Sequence, residues 1–234
     1  MTVSIHPVPG IPEIAAGDDL PALLAAALQD AGLGPEPGDV LVVTHKVVSK
    51  AEGAVAALEG DGEAAYRRIV LDEAAAVLRR RGDLVIAKTR HGFICANAGV
   101  DRSNAAPGTA VLLPADPDRS AHRIRVGVRR ASGVDVAVVV TDTFGRAWRR
   151  GLVDVAIGIS GIEAILDLRG TTDAGGRPLS VTEVAVADEI AAAADLVMGK
   201  ASQIPAAVVR GLAVRRGDGR AADLVRDPAE DLFR

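Results

Sequence analysis

The chain has 234 residues, of which 49% are hydrophobic but only 2% aromatic, so one large domain or two small ones can be built around a core of small aliphatic side chains. A net charge of −4 signals no basic face and argues against a general nucleic-acid binder. A single cysteine, Cys95, excludes an intramolecular disulfide and suits a reducing compartment. The opening MTVSIHPVPGIPEI has neither a basic n-region nor an apolar h-region, so no secretory signal is expected. No apolar run approaches the ~20 residues of a membrane span. The expectation is a cytoplasmic globular protein with no membrane partner.

Residues 2–7 can form a short strand, after which Pro7, Pro9, Gly10 and Pro12 impose a stiff turn. Asp18 and Asp19 ahead of Pro21 have the composition of a helix start. Leu23, Leu24, Ala27, Leu28 and Ala31 recur at helical spacing, and Gly32 or Gly34 ends the helix. PEPGD (35–39) is a turn and 40–43 a strand, with His45, Lys46, Ser49 and Lys50 clustered at its exit. Lysines beside Ser and Gly can hold phosphate, but this is not the GxxxxGK[ST] loop, and solvated lysines are the plainer reading. Residues 63–81 have helical periodicity, with Tyr66, Ile69, Val70, Ala74, Val77 and Leu78 on one face, arginines largely off it, and Gly82 as the stop. Residues 84–89 and 93–95 read as strands. CANAGVDRSN (95–104) is a tightly turned polar loop, either an Asx-turn or a metal or phosphate loop. Residues 109–113 form another strand, and Asp116-Pro117 opens a helix through Ala121, Ile124 and Val128 that ends at Gly133.

The stretch VDVAVVVTDTFGRAWRR (134–150) organises the rest. Its apolar run, 136–140, is a buried strand. Thr141, Asp142, Thr143, Gly145 and Arg146 then predict a turn at the mouth of a sheet, where ligand sites of α/β proteins form. An Asp and a Thr there offer hard oxygens to a Mg²⁺- or Mn²⁺-type cation, with guanidiniums following. A capped turn with a solvated arginine edge reads the same stretch equally well. Gly158 and Gly161 mark strands or a crossing where backbones approach closely. Ser180 and Glu183 have capping-box spacing and predict a helix over 181–198, closed by Gly199. Residues 206–209 are a strand, and 216–234 a loosely held polar tail.

No HExxH, CxxC, GxSxG or GxGxxG occurs, and the four histidines are scattered, so a Ser or Cys nucleophile is disfavoured. Acidic turns at Asp101 and Asp142-Thr143, lysines at strand exits and glycine-rich loops remain. They fit nucleotide-dependent phosphoryl transfer, in which a divalent cation is shared with substrate phosphates.

Taken together, GIPEI, GDVLVVTHKVVSKAEG, RHGFICANAGVDRSN, LLPADPDRSA, VVVTDTFGRAWRRG, AIGISG and VTEVAVADEIAAAADLVMGK followed by VVRG resemble the coenzyme F420 γ-glutamyl ligase family, in order from Gly10 to Gly211. ANAGVDRSN and TDTFGR are the most specific matches. The resemblance implies an α+β fold of two interlocked subdomains with mixed, largely antiparallel sheets and flanking helices, assembled as a homodimer. It implies a ligase domain over 1–215, followed by a tail that in some relatives leads to a flavin-binding domain. The implied activity is GTP-dependent addition of L-glutamate to coenzyme F420-0 through an acyl phosphate, with later additions γ-linked. Asp101 and Asp142 would hold one Mg²⁺ or Mn²⁺ and Thr143 would approach a second, with K⁺ a further candidate ion. Nucleotide contacts carry over to Ile11, Pro12, Glu13, Ile14, His45, Lys46, Lys50 and Asn104, and to Met198, Gly199, Lys200, Ala201, Ser202, Gln203 and Ile204. Two positions depart from the family pattern. Some members have an acidic residue at Lys200 and a small hydroxyl pair at His45-Lys46. The competing readings are another nucleotide-dependent carboxylate–amine ligase and a non-catalytic nucleotide- or metal-binding protein.

Overall fold

A computed structural model describes residues 2–231. In chain order it comprises β1 (Ser4–Pro7), α1 (Leu20–Asp30), β2 (Val40–Thr44), α2 (His45–Ala51), β3 (Val55–Ala57) and α3 (Gly62–Glu73). β4 (Ala74–Arg81), β5 (Leu84–Thr89), β6 (Ile94–Ala96), β7 (Thr109–Val111), α4 (Pro117–Ser132) and β8 (Ala137–Arg146) follow. β9 (Arg149–Ser160), β10 (Leu166–Asp167), β11 (Glu183–Val184), α5 (Val186–Met198) and β12 (Ala206–Arg210) complete the list. The fold is mixed α and β with several mostly antiparallel sheets, and the parallel exception, β2 beside β8, carries the site.

The main sheet runs β1-β12-β2-β8-β9 and is buried on both faces. That is why β2 and β8 are continuous apolar runs rather than alternating ones. Leu41, Val43, Val138, Val140 and Ile157 face Leu24 and Leu28 of α1 and Ile124 and Val128 of α4. Val40, Val42, Ala137 and Val139 face Ile190, Ala191, Ala194 and Met198 of α5. The side chain of Asp19 caps α1 and that of Asp116 caps α4, each with a proline in the first turn; Gly133 ends α4 in the left-handed conformation. A third, smaller core gathers Val70 of α3 with Val85, Ala87, Val100 and Ala110. Among the described residues no helix is long and apolar enough to cross a membrane.

Four local expectations change. The helix predicted over 63–81 stops at Glu73, and 74–81 becomes β4, paired with β5 across the two-residue turn Gly82-Asp83. A Gly-Asp turn favours a hairpin, and pairing with β5 overrides the helical propensity of AAAVLRRR. The turn expected after Val140 is not there. β8 continues through Thr141, Asp142 and Thr143 to Arg146, paired with β9, with register shifts after Val140 and Gly145. The Ser180 capping box does not form: Glu183 lies in β11, and α5 begins at Val186 behind Ala185, with no side-chain cap. The stretch expected to be a loose tail is docked at 219–221, while 226–230 are exposed. The Gly219 amide donates to the Ile162 carbonyl at 3.0 Å, and Ala221 is 2% exposed. Residues 232–234 of that stretch lie outside the described residues.

Candidate functional site

β2 and β8 run in parallel and in register, Thr44 opposite Thr141, so their carboxyl ends open on the same edge of the sheet. Ligands of open α/β sheets bind at such edges. A cleft of about 930 Å³ lies there, within the size range of small-molecule sites. The loop Ile11–Ile14, the start of α2, the 104–106 loop and the segment between α5 and β12 wall it. Of the residues named from sequence, Ile11, Pro12, Glu13, Ile14, His45, Lys46, Lys50, Asn104, Asp142, Thr143, Met198, Gly199, Lys200, Ala201, Gln203 and Ile204 all line this one cleft. Ser202 and Asp101 are not among its lining side chains. The Ser202 hydroxyl turns back to donate to the Met198 carbonyl.

Asp101 stands behind Lys46. The Lys46 ammonium reaches its Oδ2 at 2.7 Å, and the Ser103 amide donates to its Oδ1 at 2.6 Å. Burial alone would raise the Asp101 carboxyl, but the hydrogen bonds from Lys46 and Ser103 together hold it below the usual carboxylate range. Lys50 meets Glu13 at 2.5 Å across the cleft mouth. Glu13 is 85% exposed, so it can swing away and leave the ammonium to an incoming anion.

Asp142 has one oxygen committed. Its Oδ1 accepts from the Thr143 amide at 2.7 Å and lies 3.2 Å from His45 Nε2. His45 itself is 1% exposed.

Sequence reading missed Asp154 on β9. The register places it opposite Thr143, and it is 3% exposed. Thr141 Oγ1 donates to its Oδ2 at 3.0 Å and Thr143 Oγ1 to its Oδ1 at 2.5 Å. The Lys200 ammonium donates to Thr143 Oγ1 and lies 3.6 Å from Asp154 Oδ1. Asp195, also in the wall, is raised by its burial and then by the charge of Asp154, with Lys200 opposing both. The only signal for Asp154 was the hairpin pairing, legible only once β8 was known to extend past Val140.

Cys95 is buried and free, and burial followed by the Asp142 charge pushes its thiol up to about 12, so it offers no thiolate nucleophile near neutral pH. Among the described residues no three His, Cys, Asp or Glu groups form a metal cage. The donor set instead fits a hard cation that takes its remaining ligands from a substrate, as Mg²⁺ commonly does with phosphates.

Lysines and carboxylates face one another across a cleft at a parallel-strand edge, the place where small-molecule sites of α/β proteins form. Comparison with known proteins is more specific. The model of the F420-0:γ-glutamyl ligase family matches residues 10–211. A protein of Methanopyrus kandleri named coenzyme F420:L-glutamate ligase is 42% identical over all of this chain and 98% of its own length. Proteins of the same name from Methanothermobacter thermautotrophicus and Archaeoglobus fulgidus are 40% and 42% identical, again over all of this chain and over 100% and 97% of their own lengths. The chain belongs to the F420-0:γ-glutamyl ligase family.

Proposed function

We propose that the protein joins L-glutamate to coenzyme F420-0 through an amide bond, adds further glutamates through γ-linkages, and consumes GTP. The reading rests on the full-length match to ligases of that name. It is supported by the single cleft that gathers Lys46, Lys50 and Lys200 with Asp142 and Asp154.

A carboxylate and an amine do not condense in water until the carboxylate is activated. In this mechanism a bond forms between an acceptor carboxylate oxygen and the γ-phosphorus of GTP. The bond from that phosphorus to the β-phosphate bridging oxygen breaks, and GDP leaves. The glutamate amine then attacks the acyl carbon, the bond to the phosphate oxygen breaks, and the amine gives up its proton as phosphate departs. Such transfers depend on positioning and charge neutralisation more than on covalent help from the protein.

Lys50 and Lys46 supply point charges to phosphate. The Ile11–Ile14 loop, Asn104 and the 198–204 segment frame the nucleotide. Asp142, with Asp101 once Lys46 releases one of its oxygens, would hold a Mg²⁺ or Mn²⁺ that neutralises phosphate charge. Thr143 already accepts from Lys200. We take that ammonium to stand in for a second cation. Trp148 and Leu152, 85% and 66% exposed on the β8–β9 hairpin, are the surface we assign to a homodimer; a monomer by light scattering at micromolar concentration would count against it. A cytoplasmic location suits a chain whose one cysteine is buried and free.

Incubation with GTP, Mn²⁺, glutamate and coenzyme F420-0, followed by mass spectrometry, tests the activity. Products should rise in glutamyl-sized steps. No such product, or a different amine incorporated, would favour another carboxylate–amine ligase. Equal rates with ATP would remove the preference for GTP.

A further inference from the structure

His45 opens α2 directly after β2, and its ring is buried in the wall of the cleft. Its Nδ1 lies 3.4 Å from the Ser49 hydroxyl one turn along the helix, and Ser49 is fully buried. Its Nε2 has no hydrogen-bond partner, although it is buried. The nearest acceptor is Asp142 Oδ1 at 3.2 Å, close enough but not aligned for a hydrogen bond. A buried polar atom left without a partner is costly, so it calls for an explanation.

The arrangement around Asp142 supplies one. The Thr143 amide already donates to Oδ1, and His45 Nε2 approaches that same oxygen. Among the described residues no hydrogen bond reaches Oδ2. One oxygen is therefore bound by a backbone amide and approached by the imidazole, and the other is left without a protein donor. Assigning the Ser49 hydroxyl as donor to Nδ1 places the ring proton on Nε2, towards the carboxylate. A small rotation of the ring or carboxylate would align the pair. Hydrogen bonds of this kind are often long in ligand-free sites and tighten when the ligand arrives.

We propose that His45 is a positioning residue for Asp142. Through the buried relay Ser49–His45–Asp142 it fixes the carboxylate so that Oδ2 faces a divalent cation. The role rests on the assignment of Asp142 as a cation ligand made above. His45 then has no direct contact with the nucleotide, although sequence reading placed it among the nucleotide contacts. Groups that orient metal-binding carboxylates typically change metal affinity by about 10–100-fold when removed.

The test compares His45→Gln, whose amide nitrogen reaches the place of Nε2, with His45→Asn, which is too short to do so. Both are polar and of similar burial cost, so a folding defect common to both cancels in the comparison, and melting temperatures check that each is folded. Mn²⁺ binding in the presence of GDP is followed by electron paramagnetic resonance, and GDP binding is measured separately in chelator. The expected result is Mn²⁺ affinity within about threefold of the unaltered protein for His45→Gln and a loss of about tenfold or more for His45→Asn. Metal-free GDP affinity should not change in either. Equal Mn²⁺ affinity in the two variants, or a parallel loss of metal-free GDP binding, would overturn the role. Asp142→Asn runs alongside. If it weakens Mn²⁺ binding while both His45 variants bind normally, only the positioning role falls. If it leaves Mn²⁺ binding unchanged, the ligand assignment falls and takes this role with it.

Discussion

Asp154 is nearly sealed from water, so its charge must be met from within the fold. Two threonine hydroxyls of β8 donate to it, and the Lys200 ammonium approaches from the cleft side. Because the hydroxyl protons are committed to Asp154, Thr141 and Thr143 present lone pairs to any further partner, and Lys200 already uses that of Thr143. Asp101 and Asp142, about forty positions apart in sequence, come to neighbouring parts of one site through Lys46 and His45, which are adjacent in the chain. If they share a cation they work as one unit. Asp101→Asn and Asp142→Asn should each lower turnover by roughly a hundredfold or more with the fold intact, and the double variant should be little worse than either single. Additive losses, or near-normal turnover in one single variant at saturating metal, would separate the two residues. Lys50→Ala should weaken GTP binding by about 10–100-fold, the range of a charge-assisted hydrogen bond, and leave the KM for glutamate nearly unchanged; calorimetry with GTP and steady-state kinetics in glutamate read the two effects separately.

At the scale of elements, what could be read from sequence followed from where the deciding interaction lies. The β-branched runs of β2 and β8 and the aspartate caps with a first-turn proline of α1 and α4 are local signals, and the structure keeps them. AAAVLRRR has helical propensity, and only β5 across the Gly82-Asp83 turn makes it a strand, so its state is decided outside the segment. Asp154 was invisible for the same reason: its role depends on which residue of β8 it opposes. Gly158 shows the reverse, a sequence signal with a definite structural cause. A Cβ there would lie 2.3 Å from the Pro117 carbonyl oxygen, because the first turn of α4 rests directly on β9. Gly158→Ala should therefore destabilise the protein by about 1–3 kcal/mol, visible in urea denaturation as a lower midpoint with an unchanged slope. An unchanged midpoint would mean that α4 can lift off the sheet at little cost.

Across the whole molecule, α4 and the segment after β12 are joined through one carboxylate. Asp118 Oδ1 accepts the Ile159 amide at 2.8 Å and the Ala221 amide at 3.1 Å. Burial raises its carboxyl above the usual value despite those two bonds. For a raised folded-state value, the associated stability is complete below the unfolded carboxylate range and is lost as pH rises through the raised value. Asp118→Asn keeps an acceptor at Oδ1 and removes that dependence. Its stability relative to the unaltered protein should increase from about pH 4 upward and then level off, measured as melting temperature across a pH series. Asp118→Ala should instead lose about 1–3 kcal/mol for each amide left unsatisfied. A relative stability of the Asn variant that is flat with pH would show that burial does not perturb this group.

The order of strands in the main sheet also sets an order in time. Of the described strands β1 leaves the ribosome before the others, yet among the described residues its one neighbour in the sheet, β12, lies about two hundred residues later, between β1 and β2. During synthesis the first strand must wait, unpaired, until almost all the described chain has been made. The loop Ile11–Ile14 that walls the cleft waits with it, opposite the segment that leads into β12. Closure of so long a loop is slow and comes late. The nascent protein is thus kept from forming a complete cleft until the segment that closes it has emerged.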